Sequence, residues 1–128
     1  MAIRRHIVAV VDDDHKLRKA LARLLSTYGC RVQLFSSAAD FLSAADTSEA
    51  TCLLVDIHLG NSSGLDLARR LAAAGHEFPI IFISGSDEDT IRQQCVELGC
   101  VAYLQKPPPQ DRLIHAIQKA IGSKLQLG

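Results

Sequence analysis

Thr51-Cys52-Leu53-Leu54-Val55-Asp56 is an apolar run that stops abruptly in a carboxylate. It shows no polar alternation, so both faces of the strand it predicts are buried, as in the middle of a parallel sheet. A second run, Ile7-Val8-Ala9-Val10-Val11, ends the same way in Asp12, Asp13 and Asp14. Two such strands side by side deliver several negative charges to one sheet edge. Carboxylates crowded like this repel one another unless a divalent cation or a lysine joins them. The chemistry of the chain is therefore expected at that edge.

The rest of the sequence repeats the pattern. Runs of strand length fall at His6–Val11, Arg31–Phe35, Thr51–Val55, Ile80–Ile83 and Val101–Leu104. Leu17, Leu21, Leu24, Leu25 and Tyr28 form one face of a first helix, with Asp14 as N-cap and Gly29 closing it. Ser36 or Ser37 caps a short second helix carrying Phe41 and Leu42. Leu65, Leu67, Ala68 and Leu71 mark a third, stopped near Gly75. Asp87 is placed to cap a fourth, with Ile91, Cys95 and Leu98 inward and Gly99 past its end. Leu113, Ile114, Ile117, Ala120 and Ile121 give a fifth. Strands alternating with helices predict an α/β fold, a doubly wound parallel sheet covered on both faces.

At 128 residues, 48% hydrophobic and 22% charged, the chain is expected to form one globular domain. Fourteen basic residues balance fourteen acidic ones. No global basic field draws it to nucleic acid or to a membrane surface. No apolar stretch approaches the ~20 residues that span a bilayer. The run after the basic Met1-Ala-Ile-Arg-Arg-His6 is too short for a signal-peptide core, so a cytoplasmic location is expected. Cys30, Cys52, Cys95 and Cys100 lack CxxC pairing and read as buried reduced thiols. His6, His15, His76 and His115 form no metal-ligand spacing and read as surface residues.

In doubly wound sheets, ligands gather outside the carboxyl ends of the strands. That rule assembles Asp12, Asp13, Asp56, Ser84 and Lys106 into one candidate site. A hard cation such as Mg²⁺ takes oxygen ligands and keeps several waters, which suits the acids. Asp56 could then attack a phosphoryl group whose charge the metal and Lys106 neutralise, with Ser84 donating a hydrogen bond to it.

These residues carry a resemblance. The acid pair in Val10-Val-Asp-Asp-Asp14, Asp56 after the third strand and Ser84-Gly85 after the fourth occur in order, followed by Tyr103 and Lys106-Pro107. The chain from about Arg4 to Ile121 resembles the receiver domain of bacterial two-component response regulators. The resemblance implies a (βα)5 flavodoxin-like fold with strand order 2-1-3-4-5. It implies Asp56 as phosphoacceptor and Asp12, Asp13, Asp56 and the backbone carbonyl of His58 as ligands of Mg²⁺ or Mn²⁺. Ser84 becomes the switch hydroxyl, Tyr103 the switch aromatic and Lys106 the phosphate-pairing lysine. Asp14 matches no required acid. Implied partners are a sensor histidine kinase and, for the switched face, either an output domain or a second receiver as homodimer, with no direct nucleic-acid binding by this domain. Phosphorylation is expected to draw in Ser84, turn Tyr103 inward and change the face of helix four, strand five and helix five.

The chain departs from the family pattern twice. Asp56-Ile-His-Leu59 is followed by Gly60 where the family commonly has a proline, and Pro108, then Pro109, replaces the usual apolar residue after Lys106-Pro107. The Lys106-Pro107 bond is a candidate cis peptide, as the family often has there.

Two other functions use similar residues. A haloacid dehalogenase-type phosphatase needs Asp-x-Asp-x-Thr/Val, and Asp12-Asp-Asp-His-Lys16 fails at the last position. A receiver-like interaction module that is never phosphorylated would not need its acceptor, acid pair and lysine intact.

Overall fold

Five parallel strands pair in the order β2-β1-β3-β4-β5, with β1 at Ile7–Val11, β2 at Arg31–Phe35, β3 at Cys52–Asp56, β4 at Ile80–Ser84 and β5 at Ala102–Gln105. The computed structural model describes residues 6–122 and 125, so Arg4, the expected start of the core, lies outside the described residues. The strand order is the expected 2-1-3-4-5 of a flavodoxin-like (βα)5 sheet. β1 and β3 are buried along their whole length, which explains their unbroken Val/Leu character. The register sets Val11 beside both Phe35 and Val55, Asp56 beside Ile83, and Ser84 beside Gln105.

Helices α1 (His15–Thr27), α2 (Ala38–Ala44), α3 (Gly64–Ala73), α4 (Asp89–Glu97) and α5 (Gln110–Ile121) connect the strands. Strand residues alternate between two cores. Val8, Val10, Leu54, Ile81 and Ile83 pack with Leu21, Leu25, Leu113 and Ile117 of α1 and α5. Ala9, Val11, Leu53, Val55 and Phe82 pack with Phe41, Leu67, Leu71 and Cys95 of α2, α3 and α4. The four cysteines are free thiols, as expected; Cys30, Cys52 and Cys95 are buried, whereas Cys100 is only half-buried. Burial pushes Cys52 up to about 12 and Cys95 up to about 11, so neither ionises readily at neutral pH.

Helix ends explain much of the chain's punctuation. Asp14 caps α1 by accepting from the backbone N–H groups of Lys16 and Leu17, and Ser37 rather than Ser36 caps α2 through Asp40 N–H. Past α1, α3 and α4, Gly29, Gly75 and Gly99 each have φ between 74° and 85°. The next residue in each case returns its N–H to the last turn: Cys30 to Leu25, His76 to Leu71, Cys100 to Cys95. This is the Schellman closure, and it needs a residue tolerant of the left-handed region.

Several expectations are corrected. Asp87 does not cap α4; Glu88 holds that position without a side-chain cap bond, and Asp87 pairs with Arg92 instead. The strands at Thr51, Ile80 and Val101 run to Asp56, Ser84 and Gln105, so the acid and the hydroxyl are the last strand residues themselves. A short antiparallel ribbon, His58–Leu59 with Ser62–Ser63, and a 3₁₀ turn at Ala45–Thr47 were not expected. His76 is half-buried, bonded to Asp46 at 3.0 Å and stacked on Phe78, rather than an isolated surface residue.

Candidate functional site

Ladder hydrogen bonds just past the strands set the site. Asp12 N–H donates to Phe35 carbonyl at 3.1 Å, Ile57 N–H to Ile83 carbonyl at 2.9 Å and Lys106 N–H to Ser84 carbonyl at 2.7 Å. Each extends the sheet by one residue and fixes where the following side chain emerges. Asp12, Asp56 and Ser84 are all buried, whereas Asp13 is exposed. The structure thus brings Asp12, Asp13, Asp56 and Lys106 together, and puts Ser84 at the end of the neighbouring strand with its carbonyl bonded to Lys106 N–H.

Lys106 Nζ lies 2.6 Å from Asp56 Oδ2 and 3.0 Å from Asp12 Oδ2. The other Asp56 oxygen accepts from His58 N–H at 3.1 Å, so both acceptor oxygens are held. Asp12 Oδ1 accepts from Asp14 N–H at 2.9 Å, while its Oδ2 has the ammonium beside it but no aligned hydrogen-bond donor. Burial raises the Asp12 pKa above 3.8, with the Asp56 charge adding to it; Asp14 N–H and Lys106 only partly offset this. For Lys106, burial works downward, but its bonds to Asp56 and Asp12 outweigh it and the pKa stands above 10.5.

Carboxylate oxygens of Asp12, Asp13 and Asp56 lie within 4.8 Å of one another. Three hard oxygens at that spacing, one of them a buried atom without a donor, fit a divalent cation of the Mg²⁺ kind. Gly60, with φ of 66°, turns the ribbon beside Asp13: a side-chain carbon there would sit 3.6 Å from Asp13 Oδ2. Gly64 is tighter still, since a Cβ would fall 2.2 Å from the Asp56 carbonyl oxygen and 2.8 Å from Val55. Only a glycine lets α3 begin against the end of the acceptor strand.

Ser84 Oγ accepts from Ser86 N–H at 3.2 Å, closing the turn after β4. Tyr103 is half-buried and its hydroxyl donates to the Ser86 carbonyl at 2.6 Å. The phenol therefore faces the β4–α4 loop. The Lys106-Pro107 bond is cis, as anticipated.

Some neighbours escaped sequence reasoning. Arg18 reaches back from α1 to donate to the Asp12 carbonyl at 2.7 Å, with His15 Nδ1 3.4 Å from its other nitrogen. Arg92 lies over the Tyr103 ring, its guanidinium carbon 4.7 Å from the centroid. Nothing in the residue types signals either contact; each depends on how a helix sits against the sheet. His6 is half-buried, and His15 and His115 are exposed. Among the described residues, no helix is long and apolar enough to cross a membrane.

The response regulator receiver domain model matches residues 8–118. The response regulator protein TodT of Pseudomonas putida is 35% identical over 121 residues, covering 94% of this chain and 53% of that protein. The transcriptional regulatory protein FixJ of Azorhizobium caulinodans is 31% identical, covering 94% of this chain and 57% of FixJ. The chain thus spans about half the length of these curated relatives. A crystal structure of a response regulator receiver protein from Burkholderia phymatum superposes with a TM-score of 0.84 at 30% identity, covering 96% of this chain and all of that one. With the family model running from within β1 to within α5 and taking in the strand-end acids, the chain belongs to the receiver domains of two-component response regulators.

Proposed function

We propose that Asp56 is the phosphoacceptor of this receiver and that residues 1–128, with a core of about 4–121, act as one phosphorylation-dependent switch. The observation that carries this is the grip on Asp56: a buried carboxylate with Lys106 on one oxygen and His58 N–H on the other. A carboxylate oxygen attacks the phosphorus of a phosphohistidine on a sensor kinase. The P–O bond forms as the P–N bond breaks, and the leaving imidazole takes up a proton. Lys106 stays beside the product and neutralises part of its charge. Ser84 gives up Ser86 N–H and donates its hydroxyl to a phosphoryl oxygen.

Asp12, Asp13, Asp56 and the His58 carbonyl would hold Mg²⁺ (or Mn²⁺). When bound, that ion supplies Lewis-acid neutralisation of the phosphoryl oxygens. The protein is not an enzyme acting on a separate substrate; it catalyses transfer to and loss from its own Asp56. The changed face comprises α4, β5 and α5. Its partners are an output domain outside this chain or a second receiver, and the zero net charge supports neither nucleic-acid nor membrane binding by this unit. A cytoplasmic location follows from a kinase partner of this type.

The test is intact mass after incubation with Mg²⁺ and acetyl phosphate. One phosphoryl adduct, absent in Asp56→Asn, is expected. No adduct with any small donor or kinase would support the unphosphorylated interaction module and overturn Asp56 as acceptor.

A further inference from the structure

One side chain in the first turns of α1 reaches back to the acid loop. Arg18 N–H donates to the Asp14 carbonyl at 3.0 Å, as the helix requires. The half-buried guanidinium of the same residue runs the other way and donates from Nη1 to the Asp12 carbonyl at 2.7 Å. Asp13 is therefore bracketed: Arg18 holds the carbonyls of the residues before and after it. His15 Nδ1 lies 3.4 Å from the other guanidinium nitrogen, Nη2. Asp12 is fixed at two further points, its N–H on the Phe35 carbonyl at 3.1 Å and its Oδ1 under Asp14 N–H at 2.9 Å. Asp13 is exposed, so its place beside the buried acids Asp12 and Asp56 comes from this backbone.

We propose that Arg18 is a positioning residue that tunes the strand-end acids to a small divalent cation over a larger one. The inference rests on reading Asp12, Asp13 and Asp56 as ligands of a divalent cation. A guanidinium is a planar fork that fixes direction as well as charge. Gripped by it, the peptide between Asp12 and Asp13 is held against turning, and the Asp13 oxygen stays within 4.8 Å of the other two. Mg²⁺ demands near-octahedral oxygens at about 2.0–2.1 Å, whereas Ca²⁺ accepts about 2.3–2.6 Å and irregular geometry. A loop free to relax loses the first fit before the second. The charge of Arg18 works the other way. It repels any divalent ion in the site, and repels Mg²⁺ and Ca²⁺ alike. Position and charge therefore predict opposite signs when the side chain is removed.

Mg²⁺ and Ca²⁺ affinities of the full chain are read by calorimetric titration for the unaltered protein and for Arg18→Ala, Arg18→Gln and Arg18→Lys. In Arg18→Ala, Mg²⁺ affinity is expected to fall about tenfold, the low end of what a partner behind a metal ligand contributes. Ca²⁺ affinity falls about threefold or less, because its coordination is flexible. Arg18→Lys keeps a charged donor and restores most of the Mg²⁺ preference. Arg18→Gln, too short for the bracket, follows Arg18→Ala and decides the matter if the alanine protein does not fold. In metal-free amide NMR spectra, Asp13 and Asp14 shift in the alanine and glutamine proteins while Val8 and Val10 hold. An equal rise in affinity for both ions would make Arg18 a charge alone and overturn the proposal. Unchanged affinities, or an equal fall for both ions, overturn it too. So does a lysine protein indistinguishable from Arg18→Ala. If the unaltered protein binds both ions and the ratio stays constant across the variants, only the role of Arg18 falls. If it binds neither, the reading of the three acids as a cation site fails and takes this inference with it.

Discussion

Lys106 Nζ stands 2.6 Å from Asp56 Oδ2, joining residues fifty positions apart at the carboxyl edge of the sheet. The same ammonium is the cation nearest Asp12, so one side chain answers for two buried acids. Lys106→Ala leaves both without it. The metal-free fold is expected to lose about 1–3 kcal/mol, the scale for a buried charge deprived of its partner. Urea denaturation with and without Mg²⁺ checks this; the loss shrinks when the ion is present. Asp56 in the variant still takes phosphate in part from acetyl phosphate, while partner binding on phosphorylation weakens.

Asp12→Asn is expected to act in the opposite direction on stability. The raised pKa of Asp12 means that the folded state holds its proton more tightly than the unfolded chain does. As pH rises above 3.8 and through the raised value, the metal-free fold loses that contribution. Asn removes the charge and the loss, adding about 0.5–2 kcal/mol near neutral pH, the usual gain from relieving a functional site. Melting temperatures of the two proteins across pH, measured in chelator, should converge at low pH and separate above.

Gly64→Ala tests the close seating of α3 on the acceptor strand. Its Cβ would meet the Asp56 carbonyl oxygen at 2.2 Å, so backbone must move. A cost of roughly 2–4 kcal/mol is expected, in the range of overpacked or strained core sites. Gly85→Ala is the control: nothing lies within 4 Å of its Cβ, and the change should stay within about 0.5 kcal/mol. Equal Tm values for the two variants would refute this role for Gly64.

Asp13→Ala separates metal binding from folding. Asp13 is exposed, so its loss should leave stability within about 0.5 kcal/mol. Mg²⁺ affinity, read by calorimetric titration, should fall at least about tenfold because one of three clustered carboxylates is gone. Chelating Mg²⁺ from the unaltered protein should likewise abolish phosphorylation while its circular dichroism stays unchanged. Unfolding on chelation would give the ion a structural role instead.

The parts legible in the sequence are those buried on both sides. β1 and β3 could be read from unbroken apolar runs, because no polar face competes for their pattern. Asp12, Asp56 and Ser84 followed, since parallel strands deliver their ends to a common edge. The ribbon at His58–Leu59 and Ser62–Ser63 was missed because strands of two residues are too short to show a period. The Gly60-Asn61 pair between them was the available signal for its turn. Asp87 was read as a cap because local bonding is the default for an acid before a helix. Its pairing with Arg92 draws it away, and that depends on where Tyr103 presents its ring. Arg18 escaped for a similar reason: its acceptor is a backbone carbonyl, which no residue type announces.

The matching glycine closures after α1, α3 and α4 all lie where helices hand the chain to strands, opposite the acids. Stitched in the same way, those three junctions form a fixed rim, like the bound spine of a book. A disturbance beginning at Asp56 has little give in that direction. The leaves that open are the turns on the other side, and a partner that listens to this protein has to read it there.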